Sequence, residues 1–242
     1  MTMKEMADKL GLNYREIRLG YHLTNNPNKL MPGKIEYVTM HQTDNTDVGV
    51  DAYQHHKYLA NNSRGREASW HWTVDEQEAV QSFRDNRVMY HSATPEGNNK
   101  SMSIEMCIDA DVAGKTYMGE TNYRKTLDNG AKLAAIKLVE YGLPVADIRQ
   151  HHDWSGKNCP SGIRAKKYNI SWTDFLEMVA KHYDTLTKPA EQIISTGPAP
   201  DGKLFQVAVG AYAYRSNALE TVEKAKAAGL NAYLILINDP RR

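Results

Sequence analysis

The sequence predicts an α/β fold over residues 1–186, on three observations. Short runs with alternating apolar residues are interspersed with longer runs whose apolar residues recur every three or four positions. The two kinds of run are interleaved along the chain rather than segregated, which is how α/β organisation reads in a sequence. A stretch rich in proline and glycine then separates a short tail that has its own strand–helix–strand pattern.

Taken in order, residues 1–30 read as a weakly structured lead-in, closed by the breakers of "TNNPNKLMPG". "KIEYVTMH", Lys34–His41, reads as a strand with Tyr37, Thr39 and His41 on one face. "DAYQHHKYLANN" reads as a helix. "SWHWTVDEQEAVQSF" reads as a hairpin, with strands Ser69–Val74 and Ala79–Phe83 around a polar turn. "SMSIEMCID" is a further strand: Ile104, Met106 and Ile108 face one way, and Ser103, Glu105 and Cys107 the other. "YRKTLDNGAKLAAIKLVEYG" is a helix whose apolar stripe is Leu127, Ala131, Ala134, Leu138 and Tyr141. Gly142 suits its C-terminal stop, with Pro144 just beyond. "SWTDFLEMVAKHYDTL" is a second long helix, capped by Ser171, with Trp172, Phe175, Leu176, Val179 and Tyr183 inward. Residues 187–202 read as a linker. Residues 203–242 then form a small unit: "LFQVAVGAY", "SNALETVEKAKAAG" and "NAYLILI" as strand, helix and strand.

Composition narrows the function classes. Hydrophobic content of 41% and charged content of 24% are ordinary for a globular chain. A net charge of +1 supplies no global basic field, so no nucleic-acid partner is expected. The apolar run "AYLILI" falls far short of the ~18 residues that suggest a membrane span. The opening "MTMKEMADKLGLNYREIRLG" has no apolar signal-peptide core, so the protein is expected to be made and kept in a cytoplasm. No disulfide is expected of Cys107 and Cys159 there; a buried thiol or a metal ligand is the default for each.

The chemistry is densest in "HHDWSGKNCPSG", His151–Gly162. His151 and Cys159 flank Gly156, so a loop can fold both side chains onto one ion. A zinc site with an open position needs about three protein ligands. His41, at the end of a predicted central strand, is the best candidate for the third. Glu105 lies on the polar face of a second strand, and a lone glutamate between Ile104 and Met106 is costly to bury without a partner or a task. The adjacent His152 leaves the choice of histidine open at this point.

"YVTMHQT", "SWHWTVDEQ", "NNKSMSIEMCID" and "HHDWSGKNCP" occur in the order, and at roughly the spacing, found in type-2 N-acetylmuramoyl-L-alanine amidases. The chain resembles this family, which includes phage endolysins and is similar to peptidoglycan-recognition proteins, over about Lys34–Tyr183. The block H-x-D-W-x-G-K-x-C-P is its most specific part. The resemblance implies a mixed, mostly parallel central sheet flanked by helices, with one zinc ion per chain held by His41, His151 and Cys159; the H-x-D-W register selects His151 over His152. It implies Lys157 as the catalytic lysine and Glu105 as the acid–base group. Some members carry a tyrosine where this chain has Trp70, which adds weight to Glu105. The implied reaction is metal-assisted hydrolysis of the amide joining the lactyl group of N-acetylmuramic acid to L-alanine. Peptidoglycan is then the partner, and a phage or prophage endolysin, held in the host cytoplasm until release to the cell wall, is the implied setting. The rivals are a non-catalytic peptidoglycan-binding module, a cytoplasmic muropeptide-recycling amidase and a structural zinc domain.

Other polar residues have simpler readings beside the functional ones. Trp70, His71, His91 and Trp154 can line a substrate cleft or pack, and Trp72 likewise. His55 and His56 read as surface or cleft-wall residues, and Cys107 as a small buried hydrophobe. Asp153 either orients a ligand histidine or shapes its loop. The tail resembles half of a sporulation-related repeat, and also the short C-terminal domain of some Bacillus-type endolysin amidases. A lone βαβ unit leaves strand edges bare, so pairing of two tails into a homodimer is expected.

Overall fold

A computed structural model describes residues 1–20, 23–108 and 118–188, with 191–192, 211–212, 223 and 227 beyond them. The chain divides into two units, Met1–Tyr183 and Asp184–Arg242. The first unit is built on a six-stranded sheet of order β1-β4-β3-β5-β2-β6. Its strands are β1 (Tyr14–Glu16), β2 (Tyr37–Gln42), β3 (Trp72–Val74), β4 (Ala79–Gln81), β5 (Ser101–Met106) and β6 (Ile148–Gln150). Only the β3–β4 hairpin is antiparallel; every other neighbouring pair is parallel. The sheet is therefore mixed and flanked by helices, as expected.

Residues 1–30 depart from the expected loose lead-in. Helix α1 (Met3–Leu10) starts with a capping box between Thr2 and Glu5 and stops at Gly11 in the left-handed region, at φ 64°. β1 follows and pairs with β4. The strand "YRE" is too short to show alternation; α1 does carry a stripe, Met3, Met6, Ala7 and Leu10 at spacings of three and four, but over only two turns.

Two helices cover the sheet. Helix α2 (Ala52–Ala60) is capped by Asp51, whose side chain accepts from the Gln54 N–H at 2.7 Å. It buries Ala52 against Val80 and Cys107. Helix α4 (Glu120–Tyr141) lies on the other face, under Ile104 and Met106. Gly130 permits that approach, since a Cβ there would sit 2.7 Å from Met106 Sδ. Gly142, at φ 67°, ends α4 as expected. The last helix, α7 (Trp172–Thr187), buries Phe175 and Val179, and Ser171 Oγ accepts from the Asp174 N–H. Short helices α5 (His151–Ser155) and α6 (Ser161–Arg164) lie near the carboxyl ends of β6 and β2, while α3 (Pro95–Lys100) leads into the amino end of β5.

Among the described residues, no helix is long and apolar enough to cross a membrane. In the second unit, Glu191–Gln192 (β7) pairs antiparallel with Ala211–Tyr212 (β8). The expected linker's first residue, Thr187, instead ends α7, Glu223 and Ala227 of the tail are helical, and the remainder of linker and tail lies outside the described residues.

Candidate metal centre

Open sheets with parallel strands bind ligands beyond the carboxyl ends of those strands. Here β2, β5 and β6 run parallel side by side, and each brings a candidate group to that end. His41 is the penultimate residue of β2, and its register partner on β5 is Glu105, so the two side chains share a face. His151 follows β6 directly, as the first residue of α5.

The loop returning to Cys159 is folded by its own backbone. The Gln150 N–H donates to Asp153 at 2.8 Å, which fixes the start of α5. Gly156 takes φ 75° and ends it. The His152 N–H then donates to the Cys159 carbonyl at 3.0 Å, closing the loop. Gln42, next to His41, ties the loop to the sheet. Its side-chain oxygen accepts from Gly162 at 2.7 Å, and its backbone N–H points at Cys159 Sγ at 3.5 Å. Asp153 thus shapes the loop rather than holding His151. Sequence reasoning missed Gln42; its position beside His41 in a strand buried on both faces was the available signal.

His41, His151 and Cys159 come together, with one ligand atom from each lying within 4.8 Å of the others. His41 Nδ1 is 3.1 Å from His151 Nδ1 and 3.8 Å from Cys159 Sγ. A tetrahedral ion with metal–nitrogen and metal–sulfur bonds of zinc length spaces such pairs by about 3.3 and about 3.6 Å. These two pairs match zinc spacing, and a donor set of two imidazoles and one thiol suits that ion. His152, half-exposed, stays outside the cluster beside Asp153. Glu105 is 14% exposed, with Oε1 3.9 Å from His41 Nδ1 and a buried Oε2 without a hydrogen-bond partner. His151 Nε2 is also buried and unpartnered.

The electrostatics suit a cation. Burial holds His41 well below the ordinary histidine range, with the neighbouring His91 and His151 adding to it. Burial and then Lys157 lower His151 to about 4. Both imidazoles are neutral at pH 7 and free to offer lone pairs. Burial, followed by Glu105, pushes the Cys159 thiol up to about 12, so only a cation would make it a thiolate there. Burial likewise raises Glu105 to about 8, against Lys157.

A cleft of about 1610 Å³ opens over this cluster, with Glu105, His151, Lys157, Trp70 and His91 among its walls. Lys157 is exposed. Trp70 donates through Nε1 to Thr73 at 2.7 Å and stacks on Tyr58. His71 and Trp154, expected at the cleft, are not among its walls. His71 is fully buried between Ser103 and the Arg87 carbonyl. Trp154 packs edge-on against Tyr37 and donates to Thr39 at 2.9 Å. Trp72 is core. His55 and His56 are buried rather than on the surface: the first lines the cleft and faces the Asp51 carbonyl, and the second bonds Ser82. Cys107 is a buried thiol 3.7 Å from His55.

Fold and site together define an α/β protein with a candidate three-ligand metal centre at the carboxyl ends of parallel strands. The chain belongs to the Amidase_2 family, described as N-acetylmuramoyl-L-alanine amidase, whose model matches residues 31–162. It is 33% identical over 165 residues to the N-acetylmuramoyl-L-alanine amidase XlyA of Bacillus subtilis, covering 64% of this chain and 50% of that protein. It is 30% identical over 169 residues to CwlH, an N-acetylmuramoyl-L-alanine amidase of the same organism, covering 69% of this chain and 60% of that protein. The chain thus spans 50–60% of the length of these relatives. The catalytic domain of XlyA superposes with a TM-score of 0.59 at 30% identity, covering 69% of this chain and 99% of that one. The PlyG catalytic domain does so at 0.58 and 26% identity, covering 74% and 99%.

Proposed function

We propose that this chain is a zinc-dependent N-acetylmuramoyl-L-alanine amidase, cutting the amide between the lactyl group of N-acetylmuramic acid and L-alanine of the peptidoglycan stem. The observation that carries the reading is the convergence of His41 Nδ1, His151 Nδ1 and Cys159 Sγ beside Glu105, whose buried Oε2 has no hydrogen-bond partner. Zinc, when bound, supplies a Lewis acid for the amide carbonyl and lowers the pKa of water toward neutrality. Glu105 takes the proton of the attacking water and passes it to the leaving amine of L-alanine. Its raised pKa suits a group that must both accept and return a proton near neutral pH. Lys157, on the cleft wall, sets its ammonium against the negative charge that develops on the carbonyl oxygen.

The setting we propose is cell lysis by a phage or prophage endolysin acting on the wall. The tail over residues 203–242 would hold the enzyme there as a wall-binding unit, raising the local substrate concentration. Pairing of two tails would give a homodimer, and a monomer in sedimentation at micromolar concentration would rule it out.

The test combines metal analysis with a peptidoglycan digest, on the wild type and on Cys159→Ser. Expected are zinc near one per chain and new N-terminal alanine without new reducing sugar, with both lost in the variant. Zinc without amine release would leave a binding or structural metal domain. New reducing ends would mean a glycosidase.

A further inference from the structure

The reaction proposed above gives His91 no task, yet its ring touches His41. His91 Nδ1 lies 3.1 Å from His41 Nε2, and the rings meet edge to face at 86°. On its other side, His91 Nε2 faces the Ser101 carbonyl at 3.3 Å and the Ser101 hydroxyl at 3.4 Å.

The proton on each of these atoms follows from its neighbours. Trp154 Nε1 can only donate, and it donates to Thr39 Oγ1 at 2.9 Å. Thr39 Oγ1 passes its own proton to Ser101 Oγ at 2.8 Å. Ser101 Oγ sends its proton to the Gly97 carbonyl at 2.8 Å, which can only accept. Both Ser101 oxygens thus present lone pairs to His91 Nε2, which must carry the hydrogen. In a neutral imidazole the other nitrogen, Nδ1, is then an acceptor. It faces His41 Nε2, so His41 carries its hydrogen there and keeps its lone pair on Nδ1. That is the atom aimed at His151 Nδ1 and Cys159 Sγ. The reverse arrangement would set the lone pair of His91 Nε2 against those of Ser101. The backbone is fixed as well: the N–H groups of His91 and Ser92 both donate to Asn98 Oδ1, at 3.1 and 2.9 Å, and Ala93 takes a left-handed φ of 59°.

The geometry points to His91 as a positioning residue that fixes the tautomer and ring orientation of the ligand His41. A polar chain from Trp154 through Thr39 and Ser101 in turn dictates the proton on His91. The inference rests on the zinc reading of the site. Partners of this kind orient metal ligands, and removing one typically costs 10–100-fold in metal affinity.

The test measures zinc affinity by competition with a chromophoric chelator, for the wild type, His91→Leu and His91→Asn. Asparagine keeps an acceptor near the place of Nδ1; leucine keeps the bulk alone. Zinc affinity is expected to fall about 10–100-fold in His91→Leu and to be largely restored in His91→Asn. Equal affinity in His91→Leu and wild type overturns the inference, as does a His91→Asn variant as weak as leucine, which would make packing the cause. A second readout needs neither variant nor metal. Nitrogen-15 spectra of the metal-free wild type are expected to place the His41 proton on Nε2, and a proton on Nδ1 overturns the inference. Wild type that binds no zinc would instead sink the metal reading, and the His41 tautomer would still report on His91.

Discussion

The two faces of the central sheet each bury a polar cluster, and the clusters are built to opposite rules. On the α4 face, Asp85 accepts from Trp72 Nε1 at 2.6 Å, Gln81 Nε2 at 2.8 Å, Tyr141 Oη at 2.6 Å and Lys137 Nζ at 2.7 Å. One carboxylate meets four donors, and the charge of Lys137 balances its own. On the cleft face, His41, His151 and Cys159 point lone pairs at one spot, and Glu105 Oε2 and His151 Nε2 find no partner. Buried polar atoms are nearly always satisfied, so an unsatisfied group asks for an explanation. The first cluster is complete as folded and serves stability. The second leaves buried polar atoms open to an added group, as the proposed metal centre requires.

The largest expected effects come from breaking the incomplete cluster at its ligands. In Cys159→Ser or His41→Ala, zinc is lost and amide hydrolysis falls to background. In excess chelator, however, these variants should melt close to wild type, because the metal-free cluster contributes little stability. Adding zinc to wild type alone should raise stability by about 4 kcal/mol at a free concentration a thousand times Kd. A differential melt with and without chelator reads both. Glu105→Ala is the next step down: zinc should remain at one per chain while kcat falls by roughly 10²–10⁴-fold, the reach of a general acid–base group. Full activity in that variant would remove Glu105 from the chemistry.

Breaking the complete cluster should do the reverse. Asp85 and Lys137 are 8% and 4% exposed, so Asp85→Ala leaves a buried ammonium without its main counter-charge. The expected cost is about 3–5 kcal/mol, with zinc stoichiometry unchanged in the protein that remains folded. The pH dependence has a definite sign. Burial alone would raise the pKa of Asp85, but Lys137, His71 and the hydrogen bond from Tyr141 outweigh it and hold the carboxyl below its usual value. The stabilisation is therefore fully present above the unfolded pKa of about 3.9 and is lost as pH falls below it. Urea titrations of wild type and Asp85→Asn from pH 6 to pH 2.5 should converge at the acid end. Curves that stay parallel would show that Asp85 does not control this transition.

How far the sequence reveals each cluster follows from how local its signal is. His151, Lys157 and Cys159 lie in one short block, and His41 and Glu105 sit at strand ends with clear alternation, so the candidate ligands could be named from spacing and resemblance. β2, β5, the β3–β4 hairpin and both long helices were legible from their periodic runs, whereas β1 and β6, three residues each, were not. The Asp85 cluster was not legible, because its members come from β3, β4, the loop beyond and α4, and no spacing links Trp72 to Tyr141. His71 and Trp154 could be read as lining the cleft or as packing, and the structure gives both the packing role. Alternation gives the face of a sheet but not what covers it, and Ser103 with the Arg87 carbonyl covers His71. The support of His41 by His91 joins residues far apart in sequence, and only the fold brings them into contact.

Gly97 joins the two kinds of order, because it is where α3 packs against Trp154 of α5, the helix that begins at His151. A Cβ there would overlap the side chain of Ser92, at 2.6 Å from its Cβ, and would stand 2.8 Å from Trp154 Cδ2. Gly97→Ala is expected to destabilise by about 1–3 kcal/mol through overpacking. It should also weaken zinc binding, since Trp154 heads the polar chain that runs to His91. Loss of stability with unchanged zinc affinity would separate packing from proton order in that chain.

The smallest expected effect belongs to a third polar cluster, which tests whether partner count or burial sets the value of a charge. Asp128 bonds His182 Nε2 at 2.8 Å and Lys132 Nζ at 2.9 Å, much as Asp85 bonds its partners. Burial works to raise its pKa, and the hydrogen bond from His182 with that from Lys132 overrides it, holding the carboxyl at about 2. Asp128 is 44% exposed, so water screens the pair and the released hydration is small. Asp128→Asn should therefore cost less than about 1 kcal/mol at pH 7 and remove only a shallow loss of stability as pH falls from about 4 to 2. Zinc and activity should not change. A cost equal to that of Asp85→Ala would mean that hydrogen-bond partners, not burial, set the energies of all three clusters. The contrast between the two faces of the sheet would then need another cause.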